Sequence, residues 1–200
     1  MSIDKDIENK LLSALKKLED CREFVGLIPE VRTNLVYSRE DPKTPQDVMA
    51  IDGRITVVDG MPKAAGKPKY GVSSHMARLI IEFNKRDASI CSGIDFANTP
   101  QFSDWLQKYC ETKGWVFAPI NRDNEPEDAK VKDEGSIPWK VREALRVSGG
   151  KIPKICYESA AIGKEPLSFL VGKDPVEVVD QIIEISKEVN KEIWGKMIRI

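Results

Sequence analysis

The spacing of apolar side chains along the chain predicts alternating helices and short strands. In residues 3–19 the apolar positions recur every three or four residues, with Lys and Glu opposite them, as in an amphipathic helix packed on a core. The same spacing predicts helices that begin near Ser73, Pro100, Ser136 and Pro175. Shorter apolar runs predict strands at 31–37, 54–58, 89–96, 115–118, 154–157 and 167–171. This alternation predicts one layered α/β domain.

Turn and cap residues separate these elements. Thr99-Pro100 and Asp174-Pro175 combine an N-cap residue with proline, which is typical of a helix start, and Asp59-Gly60 is typical of a hairpin. Residues 61–71 are rich in Gly, Pro and Lys and predict a loop. Residues 121–134 are so highly charged that we expect a solvated loop there.

Composition and charge narrow the function classes. The chain has 200 residues, with 31 Lys and Arg against 32 Asp and Glu, so its net charge of −1 argues against a general nucleic-acid binder. The longest apolar runs, 24–29 and 115–120, are too short to span a membrane, and no secretory signal is recognisable. The four cysteines are far apart and there is one histidine, so the spacing of a zinc site is absent. We expect the cysteines to be reduced and the protein to be cytoplasmic.

The single histidine lies in a segment suited to anion binding. Residues 71–78 bring a glycine and the pair Ser73-Ser74 to a predicted helix start, with His75 in the first turn and Arg78 one turn later. Backbone N–H groups, hydroxyls and two basic side chains would together suit a phosphate. The alternative, an N-cap followed by a surface histidine, is the more frequent arrangement and stays open.

Three further positions are candidates for binding. Arg54 follows Asp52-Gly53 at a predicted strand start, where a guanidinium can hold a diphosphate. In the turn 163–166, Lys164 suits a phosphate and Glu165 suits a ring nitrogen, an amino group or Mg²⁺. Asn34 is a polar residue in an apolar strand, either a network member or a ligand contact. A surface ion pair and a charged turn are the alternatives for the first two. The chain lacks the serine-hydrolase, Rossmann and P-loop motifs.

Five stretches, in the same order, resemble the ThiN family, the archaeal type of thiamine-phosphate synthase domain. This domain is often fused behind a hydroxymethylpyrimidine kinase. The matching stretches lie within roughly residues 27–179 and comprise 27–37, 45–55, 71–78, 134–136 and 163–175.

The resemblance implies a three-layer α/β/α fold with a mixed, largely antiparallel sheet, similar to the AraD-like enzymes. We expect residues 1–22 to form an N-terminal helix ahead of a single ThiN-like domain over 23–200. The implied activity couples hydroxymethylpyrimidine diphosphate with hydroxyethylthiazole phosphate, giving thiamine phosphate and diphosphate.

The resemblance also implies roles for residues and cofactors. The arginine and the histidine tied to catalysis in the family match Arg54 and His75. The expected substrate-binding residues are Asn34, Ser73, Ser74, Arg78, Lys164 and Glu165. Mg²⁺ is expected to accompany the diphosphate through ligands that the sequence does not identify, and zinc is not expected. The expected partners are the two small substrates, with no nucleic acid or membrane, and a homo-oligomer is plausible from the fold class.

Two stretches depart from the family pattern. Gly93-Ile94-Asp95 stands where the family has Asn-Ile followed by a basic residue, and Glu158-Ser159-Ala160 stands where it has Asp-x-Gly. These departures are compatible with weakened catalysis or with a domain that senses thiamine phosphate without catalysis. A sugar-phosphate enzyme or aldolase of the AraD-like type is a third possibility, against which the single histidine speaks.

Overall fold

The computed structural model describes residues 3–129 and 133–194. Its helices are α1 (Ile3–Glu19), α2 (Ser74–Asn84), α3 (Pro100–Lys113), α4 (Asp133–Val147) and α5 (Pro175–Val189). The first strands are β1 (Leu35–Ser38), β2 (Val48–Ile51), β3 (Ile55–Val58), β4 (Met61–Ala64) and β5 (Pro68–Tyr70). The others are β6 (Ser92–Ala97), β7 (Phe117–Ile120), β8 (Ile155–Glu158) and β9 (Leu167–Gly172).

A mixed sheet forms the middle layer. Within the described residues it has seven strands in the order β5-β2-β1-β6-β9-β8-β7, and all neighbours are antiparallel except β7 and β8. Strands β3 and β4 form a separate hairpin. At its turn Asp59 and Gly60 have φ angles of 51° and 72°, the left-handed backbone that a tight hairpin requires. The largely antiparallel sheet and the hairpin are as predicted.

Helices cover both faces of the sheet. The buried side chains of α1, α3 and α5 pack into one apolar cluster, and those of α2 and α4 pack into a second cluster across the sheet. The apolar stripe predicted for α1 is buried in full, at Ile7, Leu11, Leu15 and Leu18. The three-layer α/β/α architecture is therefore confirmed. None of the helices in the described ranges combines the length and the apolar character needed to span a bilayer.

The prediction of a loop over 61–71 was wrong. This segment contains β4 and β5, and each carries a proline, at Pro62 and Pro68. Strand β4 lies in the two-stranded hairpin and β5 lies at the edge of the large sheet, where a missing N–H is tolerated.

The prediction of a solvated loop over 121–134 was wrong at its end, where α4 begins at Asp133, and at two buried positions. Arg122 and Glu125 are each only 4% exposed. After β7 the chain turns, with Asn121 Oδ1 accepting from Asp123 N at 3.0 Å. This turn directs the Arg122 side chain back toward Glu158, which lies opposite Ile120 at the end of the neighbouring strand β8. Residues 130–132 lie outside the described part of the chain.

Candidate functional site

A cleft of about 410 Å³ gathers most of the predicted site residues. The predicted residues that line it are Asn34, Arg54, Ser73, His75, Lys164 and Glu165. Arg54 immediately precedes β3 and His75 lies in the first turn of α2. Both line the cleft, so the two predicted catalytic residues share one site. Ser74 and Arg78 lie outside it. Arg78 Nε donates to Ser74 Oγ at 3.2 Å, and Arg78 lines a separate cleft of about 170 Å³.

The backbone places Arg54 at the cleft by an unusual turn. Gly53 and Arg54 have φ angles of 73° and 67°, a left-handed conformation that costs a non-glycine residue about 1–2 kcal/mol. The turn is held because Arg54 N donates to Ile51 O at 3.1 Å and Arg54 O accepts from Ala65 N at 2.9 Å. The guanidinium then donates through Nη1 to Val31 O. Backbone strain of this kind is typical of functional positions.

Glu165 fixes the segment that holds Arg54. Its two carboxylate oxygens accept from Glu30 N at 3.2 Å and from Val31 N at 2.8 Å. The turn that presents Glu165 is closed by Lys164 N donating to Ala161 O at 2.9 Å. Glu165 therefore positions the Val31 carbonyl that accepts from Arg54, while the side chain of Lys164 is exposed at the mouth of the cleft.

The side-chain amide of Asn34 is engaged by the sheet. Its Oδ1 accepts from Ile51 N at 3.0 Å and its Nδ2 donates to Ile51 O at 3.3 Å, so the side chain takes the place of a main-chain partner. The backbone N–H of Asn34 donates to Asp95 Oδ1 at 2.6 Å. The contacts of Asn34 are those of a network member, one of its two expected roles.

Asp95 is a carboxyl that lines the cleft, and the sequence indicated it only as a departure from the family pattern. It lies in β6 and is 7% exposed. Burial raises its pKa to about 6, against the opposing effects of the Asn34 N–H, His75 and Arg54. Near neutral pH Asp95 can therefore exchange a proton within the cleft, which suits a site that moves or accepts charge.

A buried ion cluster forms the far side of the cleft, and sequence reasoning missed it. Lys140 Nζ lies 2.7 Å from Glu158 Oε2, and Arg122 Nη2 donates to the same oxygen. Burial by itself raises the pKa of Glu158, but Lys140 and Arg122 outweigh it and lower the value to about 2. Burial lowers the pKa of Lys140, and Glu158 opposes that change. Lys140 and Arg122 line the cleft.

One signal for Lys140 was present in the sequence. Lys140 lies three residues after Ile137 and four before Ala144, so it occupies the buried stripe of α4 where an apolar residue is usual. Among the described residues, no group of three or more His, Cys, Asp or Glu side chains could hold a metal ion.

Known proteins are similar to this chain in sequence and in fold. The family model described as thiamine-phosphate synthase ThiN matches residues 10–184. The thiamine-phosphate synthase ThiN of Methanothermobacter thermautotrophicus is 40% identical over 183 residues, 92% of this chain and 93% of that protein. The bifunctional thiamine biosynthesis protein ThiDN of Methanocaldococcus jannaschii is 30% identical over 166 residues, 82% of this chain and 37% of that protein.

A solved structure shares the fold. The C-terminal domain of phosphomethylpyrimidine kinase superposes with a TM-score of 0.83 at 29% identity, covering 92% of this chain and 99% of that domain. Together with the bifunctional relative, it supports the expected fusion of such domains to a kinase. The resemblance inferred from the sequence motifs is confirmed, and the chain belongs to the ThiN thiamine-phosphate synthase family.

Proposed function

We propose that this protein is a transferase of thiamine biosynthesis that couples hydroxymethylpyrimidine diphosphate with hydroxyethylthiazole phosphate. The observation that carries the proposal is the convergence of Arg54 and His75 on one cleft, within a chain that belongs to this family. The products are thiamine phosphate and diphosphate. Cations at the mouth and on the far side of the cleft suit two substrates that both carry phosphate.

The chemistry requires a site that stabilises a departing diphosphate. The thiazole nitrogen forms a bond to the pyrimidine methylene as the bond from that carbon to the diphosphate oxygen breaks. Negative charge therefore grows on the diphosphate, and cationic or hydrogen-bonding groups placed there lower the barrier. Arg54 holds the diphosphate, and His75 donates a hydrogen bond to the departing oxygen. Ser73 at the start of α2 adds contacts, and the cleft aligns the two reactants.

Mg²⁺ is part of the proposal because it accompanies diphosphates. Mg²⁺ takes oxygen ligands and is commonly held by one or two carboxylates together with substrate phosphates. Glu30 and Asp95 line the cleft, whereas both oxygens of Glu165 are engaged by backbone N–H groups. Glu30 and Asp95 are therefore the carboxylates that would hold the ion, which would neutralise part of the diphosphate charge.

A cytoplasmic location and a homo-oligomer complete the proposal. The cytoplasm fits the absence of disulfides among Cys21, Cys91, Cys110 and Cys156, all of which are free thiols. The homo-oligomer is proposed from the fold class, and sedimentation of the purified protein tests it.

The test is diphosphate release from the two precursors in the presence of Mg²⁺. The wild-type protein should release one diphosphate for each thiamine phosphate formed. Arg54→Ala and His75→Ala should each lower turnover by about 10²–10³-fold, the cost of removing a contact to a departing group. Arg146→Ala is the matched control, because Arg146 is exposed and pairs with Glu143 outside the cleft. Near-normal turnover in either cleft variant would reject the assignment.

Sensing is the second candidate, favoured by the acidic Asp95 where the family has a basic residue. A sensor would bind thiamine phosphate without releasing diphosphate from the two precursors. Titration with thiamine phosphate alongside the coupling assay separates the two functions.

A further inference from the structure

The ion cluster on the far side of the cleft turns its two cationic side chains toward the cleft. Arg122 and Lys140 both contact one carboxylate, Glu158, and all three are at least 96% buried. Arg122 and Lys140 line the cleft, whereas Glu158 lies behind them. The nearby Glu125 accepts from Ser136 Oγ through Oε1. Two buried carboxyls thus accompany the two cations, but only Arg122 and Lys140 of the four line the cleft, so the face that they present to it is cationic.

The guanidinium of Arg122 has hydrogen-bond donors that Glu158 does not use. Its Nη2 donates to Glu158, but within the part of the chain that the structure describes neither Nε nor Nη1 has a hydrogen-bond partner. A buried N–H without a partner is costly, and a guanidinium has five N–H groups in a planar fork. Glu158 Oε1 is likewise unpartnered among the described residues and can accept a hydrogen. A ligand with several acceptor oxygens would satisfy the two unpartnered nitrogens of the Arg122 guanidinium.

We propose that Arg122 and Lys140 form a second anion subsite of the cleft, which binds the phosphate monoester of the thiazole substrate. This inference rests on the proposed function. The phosphate oxygens accept from Arg122 Nε and Nη1 and from Lys140 Nζ.

The monoester fits this subsite better than the diphosphate does. Arg122 and Lys140 are buried, whereas Arg54 and Lys164 are exposed at the mouth of the cleft. A small phosphate is the better match for a buried pair of cations, and an open mouth accommodates a diphosphate with its metal ion and water. His75 lines the same cleft as both groups of cations, and the proposal places it beside the departing diphosphate oxygen.

The first experiment measures binding and does not depend on turnover. Inorganic phosphate is titrated calorimetrically into the wild-type protein, Arg122→Gln and Lys140→Gln in a phosphate-free buffer. We expect each variant to bind phosphate about 10- to 100-fold more weakly, as expected for the loss of a charge-assisted hydrogen bond. Lys154→Gln is the matched control, because Lys154 is part-buried and pairs with Glu177 at 2.9 Å outside this cleft. It should bind phosphate as the wild type does.

The second experiment assigns the phosphate to its substrate. In the coupling assay Arg122→Gln should raise the KM for the thiazole phosphate about 10- to 100-fold and change the KM for the pyrimidine diphosphate less than threefold. Inorganic phosphate should compete with the thiazole phosphate and not with the pyrimidine diphosphate. Arg122→Lys keeps a positive charge beside Glu158 but loses the planar guanidinium, so it should bind phosphate with intermediate affinity. This variant tests the subsite even if Arg122→Gln does not fold.

Each outcome decides a separate point. Phosphate binding that is absent from the wild type, or that is unchanged in Arg122→Gln, Arg122→Lys and Lys140→Gln, overturns the subsite. A larger change in the KM for the pyrimidine diphosphate overturns the assignment to the monoester. If the wild-type protein shows no coupling activity but binds phosphate in a way that depends on Arg122, the proposed function is rejected and the anion subsite stands.

Discussion

Replacing Asp95 by Asn should make the protein more stable near neutral pH. Asp95 is buried in β6, and burial raises its pKa from 3.8 to about 6. The folded protein therefore holds this proton more tightly than the unfolded chain does. Protonated Asp95 makes its full contribution to the free energy of unfolding below about pH 4, and this contribution is lost as the pH rises through about 6. Asparagine mimics the protonated acid and can still accept from Asn34 N.

The size of the effect follows from the difference between the two pKa values. From 3.8 to about 6 is roughly two pH units, which corresponds to about 3 kcal/mol. At pH 7 the free energy of unfolding of Asp95→Asn should exceed that of the wild type by about 3 kcal/mol. This difference corresponds to a rise in Tm of roughly 6–12 °C. At pH 4 the two proteins should be nearly equal.

Urea denaturation at pH values from 4 to 8 tests this prediction. The difference between Asp95→Asn and the wild type should grow across pH 4–6 and then level off. The pKa of Glu158, lowered from 4.5 to about 2, makes stability pH-dependent below about pH 4.5, but equally in both proteins, so this effect cancels from their difference. Asp180→Asn removes an exposed carboxylate that pairs with Lys17 and should follow the wild-type pH dependence. Parallel curves for Asp95→Asn and the wild type from pH 4 to 8 would refute the reasoning.

Three further changes test local features of the fold and the site. Gly93→Ala would place a Cβ 3.1 Å from the backbone oxygen of Leu170 and 2.9 Å from Ile80 Cδ1. The Ile80 side chain can move but the paired strand resists, so urea denaturation should show a loss of about 1–3 kcal/mol, and unchanged stability would contradict this close packing. Asp174→Ala removes both N-cap hydrogen bonds of α5 and should cost about 1 kcal/mol by the same assay, with Asp174→Asn nearly neutral as the control. Glu165→Ala releases the segment that holds Arg54, so kcat should fall by up to about 10²-fold with little change in Tm. Glu165→Gln should recover part of the lost kcat, and an unchanged kcat in Glu165→Ala would show that Glu165 does not position Arg54.

The helices were predictable because their signals are local. Thr99 and Asp174 accept from backbone N–H groups of the first turns of α3 and α5, and the apolar stripe of α1 is buried as predicted. The order of the strands depends on pairing between distant segments. Strand β2 was missed because its four residues are all buried, so it has no alternation between apolar and polar positions.

The site was predictable where it depended on motifs and was missed where it depended on burial. Arg54 and His75 were found through family motifs, and the structure brings them to one cleft. Arg122 lies in a charged stretch of a kind that is usually solvated. Its burial depends on Glu158, 36 residues further along the chain, and no local pattern reports that pairing.

Val31 donates through its N–H to Glu165 and accepts through its carbonyl from Arg54, which joins three segments that are far apart in the chain. Each segment belongs to a different part of the sheet or its connections, so the arginine is oriented only once β1, β3 and β9 have all come together. Catalytic competence should then be the last property gained in refolding and the first lost in mild denaturant, while the helical circular dichroism signal is still intact. For this enzyme family member, turnover is thus a stricter measure of native assembly than helix content.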